Sequence, residues 1–239
     1  MKEDALLLGV DTCGTTGSIA LGRVRGVGIE LLGLMELEGG EFAARLVAGM
    51  AELLASAGVK LGELAGLVAV AGPGSFTGIR IGLAAVKAIA ESGGLPVVTV
   101  SRLALLAAGA QADCAVLDAH RGQFYCGMYG AGADGPPGRE MLLTAGEINA
   151  MGGLKGRIAV CEETVAQLLE ELYGDPEVHP SDENLWPGGQ ELVRTPAPTA
   201  ADALRFSLAK WRSEDLADVA ELDGYYLRGA DAKVSARLG

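Results

Sequence analysis

Catalytic ingredients are scarce in this sequence. Its 239 residues include two histidines, His120 and His179, too far apart to share an H-x-x-x-H metal helix and too few to supply a His-dependent triad readily. Four cysteines, Cys13, Cys114, Cys126 and Cys161, are scattered without a C-x-x-C pair. That spacing makes neither a metal-ligand nor a dithiol pattern and reads as buried free thiols. Cations are also in short supply, with 19 Lys and Arg against 31 Asp and Glu and a net charge of −12, and aromatic residues make up only 5%. An acidic surface repels phosphate backbones and so few rings offer few stacking platforms, so any nucleic acid in this protein's biology is expected to be gripped by a partner. No apolar run is long enough to span a bilayer, because Arg80 and Lys87 interrupt the longest candidate, and Met1-Lys2-Glu3-Asp4 does not open a signal peptide. The cytoplasm is the expected compartment, with no membrane partner.

What is abundant is apolar surface. Hydrophobic residues make up 49% of the chain, enough for a sizeable core in one large domain or two lobes. The most informative stretch is Gly72-Pro73-Gly74-Ser75-Phe76-Thr77-Gly78-Ile79-Arg80-Ile81-Gly82-Leu83. It follows Gly66-Leu67-Val68-Ala69-Val70-Ala71, a continuous apolar run of the kind buried on both faces in a parallel sheet. Ser75 is placed to cap a helix over 76–92, which Gly93-Gly94 stops. A glycine-rich strand-to-helix turn can bind an anion on its amides. The known phosphate patterns fit badly, however: no Lys-Ser/Thr follows Gly78, and the glycines at 72, 74 and 78 are not spaced as G-x-G-x-x-G.

The helix after the turn is apolar almost all round, and a helix of that kind must be covered on more than one side. A second helix, 41–57, shares the property. Phe42, Leu46, Val47, Met50 and Leu53 on the first, with Phe76, Ile79, Gly82, Leu83 and Val86 on the second, are the expected partner interface. Gly78 and Gly82, one turn apart, would let another helix approach closely.

Periodicity places strands at 5–11, 17–24 and 27–36, helix 41–57, strand 66–71, helix 76–92 and strand 97–100. From Asp113 the order repeats: strands 114–118, 122–130 and 139–143, helix 144–151, strand 157–161, helix 162–173 and a short strand near Val178. Prolines between Asp175 and Thr199 mark a long connection, with Trp186 as its anchor, before a helix over 199–213. Two βββαβαβ modules describe an α/β actin-like ATPase (ASKHA) fold with RNase H-like lobes. The first lobe, 1–100, carries the docking helices; the second, smaller lobe takes 101–239, with helix 199–213 packing back on the first. Asp11-Thr12-Cys13-Gly14-Thr15 resembles the first phosphate loop of that superfamily. Asp11, Thr12, Gly14 and Thr15 with Asp118 are therefore the candidate nucleotide residues, against the plainer reading of a hairpin turn.

Val10-Asp11-Thr12, the 72–82 motif, Leu117-Asp118-Ala119-His120-Arg121-Gly122-Gln123-Phe124-Tyr125 and Tyr226-Leu227-Arg228 together resemble the TsaB family, also called YeaZ. Glu41-Phe42-Ala43 departs from the Glu-His-Ser-like start of that family's first helix, and His120 stands where Arg or a small residue is common. The resemblance implies a non-catalytic subunit that binds a TsaD-like protein through helices 41–57 and 76–92. The pair would then engage a TsaE-like ATPase for N6-threonylcarbamoyladenosine modification of tRNAs reading codons that begin with A. It further implies indirect contact with tRNA, a homodimer when the chain is alone, and no intrinsic cofactor or metal, leaving open ATP with Mg at a subunit boundary. The alternative is an ATPase or small-molecule kinase of the same fold, using Asp11 and Asp118.

Overall fold

The computed structural model describes residues 4–130, 138–173 and 189–227. The chain divides into two compact units, the first formed by Met1–Arg102 with Pro198–Tyr225 and the second by Leu103–Ala197 with Tyr226–Gly239.

The first unit is built on β1 (Leu6–Asp11), β2 (Thr16–Arg25), β3 (Gly28–Glu38), α1 (Phe42–Ser56), β4 (Leu64–Gly72), α2 (Phe76–Gly93) and β5 (Val97–Ser101). Its sheet runs β3-β2-β1-β4-β5, antiparallel across the first three strands and parallel across the last three. The β2–β3 hairpin is tight, and Gly26 at φ 49 supplies the left-handed residue it needs. The run read as a doubly buried strand is β4, buried at every residue but Ala65. Both faces of the sheet are covered. On β2, Gly17 and Ile19 approach Phe42 and Gly49 of α1, whereas Gly22, of opposite parity, approaches Leu204. Leu204 belongs to α6 (Ala200–Phe206), which reaches this sheet from far along the chain and lies so close that a methyl on Gly9 would sit 2.9 Å from the Ala200 carbonyl.

Residues 199–213 do not form one helix. They split into α6 and α7 (Leu208–Ser213) around Ser207, whose hydroxyl donates to the Leu204 carbonyl at 3.0 Å instead of leaving the turn uninterrupted. Thr199 opens α6 with a reciprocal cap: its hydroxyl accepts from the Asp202 amide, while Asp202 accepts from the Thr199 amide at 2.9 Å.

The second unit starts with α3 (Arg102–Ala110, its first residue still in unit 1), for which the hydrophobic pattern named no element. β6 (Cys114–His120), β7 (Gln123–Met128), β8 (Arg139–Thr144), α4 (Ala145–Ala150), β9 (Arg157–Val160), α5 (Glu163–Tyr173) and β10 (Glu191–Arg194) follow. The sheet order is β10-β9-β6-β7-β8 with the same parallel and antiparallel pairings, so the two modules share one topology. The strand expected near Val178 and the anchor Trp186 lie outside the described residues. Among the described residues, the strand pairing parallel to β9 is β10. Val116, Ile158, Val160, Ile148, Val165 and Leu169 fill the core of this unit.

Candidate docking surface

Two helices lie side by side on one face of the first sheet, and only the second is fixed at its start by a side-chain cap. The Ser75 hydroxyl accepts the Gly78 amide at 3.2 Å, and Gly94, left-handed at φ 59, ends α2. α1 begins after Glu41 without a side-chain cap.

The large apolar side chains of both helices point inward. Of the ten residues expected to meet a partner, Phe42, Leu46, Met50, Leu53, Ile79, Gly82, Leu83 and Val86 are buried within the first unit itself. Leu46, for example, is 1% exposed. The expectation that these side chains form the interface is therefore corrected: they cover the sheet and one another. Only Val47, at 64%, and Phe76, at 53%, reach the surface.

The outer faces are apolar too, but they are built from smaller residues. On α1, Ala44, Val47, Ala48, Ala51 and Ala55 are exposed at the spacing of one helical stripe. On α2 the exposed positions Phe76, Arg80, Ala84 and Ala88 fall four apart on a second stripe, with the Arg80 guanidinium 3.6 Å from the Phe76 ring centroid. Arg and aromatic residues are enriched where proteins meet, and the small alanines beside this stacked pair leave shallow ground on which another surface can lie close. Hydropathy could not separate the two faces, because alanine scores as apolar on either.

The glycines of the central motif are also reassigned. Gly78 and Gly82 do not open a path for a second helix. They face Thr12, in the β1–β2 loop, against which a methyl group at either position would collide.

That loop contains the candidate nucleotide residues of the first unit. Asp11, 2% exposed, accepts the Cys13 amide at 2.8 Å, and burial pushes its carboxyl above the ordinary range while Arg102 and that amide pull it back. Thr12 is buried and donates to the Gly78 carbonyl at 2.7 Å, Gly14 is half-buried and Thr15 is exposed. Burial likewise raises the Cys13 thiol well above its usual value. Arg102, which the sequence reading passed over, is the buried cation of this cluster. Its only sequence signal was a charge set between Ser101 and a run of apolar residues. Asp118 belongs to the second unit, where it ties down a hairpin: its carboxylate accepts the His120 amide at 2.7 Å and lies 3.1 Å from His120 Nδ1, while its own amide donates to Glu162 at 2.6 Å.

The paired 3-2-1-4-5 sheets, each flanked by helices, place the molecule in the actin-like, RNase H-like α/β class. A family model described as "TsaD: tRNA N6-adenosine threonylcarbamoyltransferase" matches residues 39–134. The "tRNA threonylcarbamoyladenosine biosynthesis protein TsaB" of Bacillus subtilis is 35% identical over 127 residues, and that of Escherichia coli 31% over 129. Each match covers 52% of this chain and 54% of the relative, so the chain spans about half the length of the curated relatives it matches. YeaZ from Pseudomonas aeruginosa superposes with a TM-score of 0.71 at 24% identity, over 93% of this chain and all of that one. A second structure, of an uncharacterized protein similar to peptidase YeaZ from Pseudomonas aeruginosa, gives 0.67 at 26%, over 94% of this chain and all of that one. The chain is thus similar to TsaB proteins over about half its length in sequence, and to YeaZ over nearly all of it in fold.

Proposed function

We infer that this chain is an accessory subunit in the biosynthesis of threonylcarbamoyladenosine in tRNA, docking a TsaD-like protein through the outer faces of α1 and α2. It supplies shape and contact area, and the partner supplies the chemistry on tRNAs reading codons that begin with A. The observation that carries this reading is the second apolar face of each helix, left exposed after the first has filled the core. The TsaB relatives and the match to the TsaD family model support a role in this pathway. A TsaE-like ATPase joins the assembled pair. Without its partner, the chain covers the same face with a second copy of itself. ATP with Mg would bind at a subunit boundary rather than within this chain.

Val47→Glu is the direct test, because the side chain is exposed and makes little demand on the fold. Burying an unpaired carboxylate at the centre of the interface should weaken binding to the co-purified TsaD-like protein by about 2–4 kcal/mol, measured by calorimetry, with the melting temperature unchanged. It should also lower tRNA modification by the reconstituted pair. Wild-type affinity in this variant would reject the docking face.

A further inference from the structure

The connection between β1 and β2 is unusual in how little of it faces solvent. Asp11, Thr12 and Cys13 are all buried, and their polar groups turn into the first unit. Asp11 accepts the Cys13 amide at 2.8 Å, the Cys13 carbonyl accepts the Ser75 amide at 2.8 Å, and Thr12 Oγ1 donates to the Gly78 carbonyl at 2.7 Å. Cys13 Sγ adds a bond to the Val70 carbonyl at 3.3 Å. A loop that held phosphate would keep such groups directed outward.

This contact accounts for the glycine spacing of the central motif. A methyl at Gly74 would enter the Cys13 carbonyl, one at Gly78 the Thr12 carbonyl, and one at Gly82 the Thr12 hydroxyl. Three glycines at intervals of four residues thus let one loop lie against the first two turns of α2. Behind the loop, Gly14 abuts Arg102: a methyl there would be 2.6 Å from a guanidinium nitrogen. Asp11 and Arg102 close the cluster with opposite charges, both in the first unit.

We propose that the Asp11–Gly14 loop is the seat of α2 and that Thr12 is a positioning residue, setting where the Phe76–Arg80–Ala84–Ala88 stripe stands. The inference rests on the docking reading, since that stripe is half of the proposed face. It assigns the loop to holding a helix in register, not to holding a nucleotide. A close-packed interface tolerates little displacement of one helix, so the effect of the seat is read at the partner.

The test is a pair of substitutions that should compensate. Gly82→Ala pushes its methyl into Thr12 Oγ1 and should cut affinity for the TsaD-like partner about tenfold while the far-UV spectrum stays native. Adding Thr12→Ala removes that oxygen and leaves the nearest remaining atom, the residue 12 β-carbon, at 3.4 Å, so the double variant should bind as well as Thr12→Ala alone, about threefold below wild type for want of the bond to the Gly78 carbonyl. If Gly82→Ala does not fold, Thr12→Val, which keeps the shape and loses the donor, should weaken binding about three- to tenfold, and Thr12→Ser should restore it. Loss in Gly82→Ala without recovery in the double variant overturns the inference. So does wild-type binding by both Gly82→Ala and Thr12→Val while Val47→Glu abolishes it, an outcome that leaves the docking reading standing. Wild-type affinity in Val47→Glu removes the docking reading and this inference with it. Saturable Mg-ATP binding by the intact chain that is lost in Asp11→Asn would assign the loop to nucleotide and overturn the proposal.

Discussion

Arg102 is the residue whose loss should be felt most sharply in stability. It is 6% exposed and sits beside Asp11, itself buried, so Arg102→Met leaves a carboxylate in the interior with the Cys13 amide still donating to it. Breaking a buried pair by removing one partner costs about 3–5 kcal/mol, a large share of the stability of any domain. The pH dependence has a definite sign. Burial is the dominant influence on Asp11 and raises its folded value above the ordinary 3.8, so the native state holds the proton more tightly than the unfolded chain does. Stability from this group is then fully present below the unfolded value and is lost as pH rises through the folded one. Removing Arg102, which pulls the value down, moves the folded value higher and extends that loss further toward neutrality. Urea unfolding followed through Trp211, in the first unit, should therefore show a deficit for Arg102→Met that is largest at pH 8 and shrinks toward pH 5. Asp11→Asn in the same chain keeps an oxygen for the Cys13 amide and removes the charge, so the double variant should recover most of the loss at pH 8. A deficit independent of pH, or a double variant no more stable than Arg102→Met, would refute the assignment of a buried charge pair.

Thiol labelling should separate the cysteines by environment. Burial pushes Cys126 up to about 12 and Cys13 well above its ordinary value, while Cys161 is partly exposed, so native protein at pH 8 should show Cys161 reacting first and the others only on unfolding. Equal rates for Cys126 and Cys161 would contradict this. Thr199→Ala removes the reciprocal cap of α6 and should cost about 1 kcal/mol in the unfolding of the first unit. No change in the urea midpoint would mean that the cap contributes nothing there.

Much of the architecture was legible because it is written locally. Ser75 and Gly94 bracket α2 by capping chemistry, and β4 announces itself as an uninterrupted apolar strand. The order of elements repeats in the second half closely enough to name the fold class. Other features were out of reach for the same kind of reading. α3 is apolar along most of its length and offers no polar face by which to recognise its period, and Ser207 divides 199–213 through a bond to a carbonyl three residues back.

The sequence by itself determined the order of helices and strands in the first sheet, where α2 begins and ends, and that two helices of the first unit carry more apolar surface than one sheet face requires. Only the tertiary structure decided which side of each helix is spent on the core. Periodicity counts alanine and leucine alike, whereas packing selects by size: Leu46 and Leu83 fill the interior, and Ala44, Ala48 and Ala84 stay outside. It also decided what the glycines at 74, 78 and 82 are for, because their neighbours, Thr12 and Cys13, lie more than sixty residues earlier. The return of α6 is of the same kind: the Ala200 amide finds the Ser18 hydroxyl at 2.8 Å across a separation of 182 positions. Contacts of that range are set by how the whole chain closes on itself, and no local pattern encodes them.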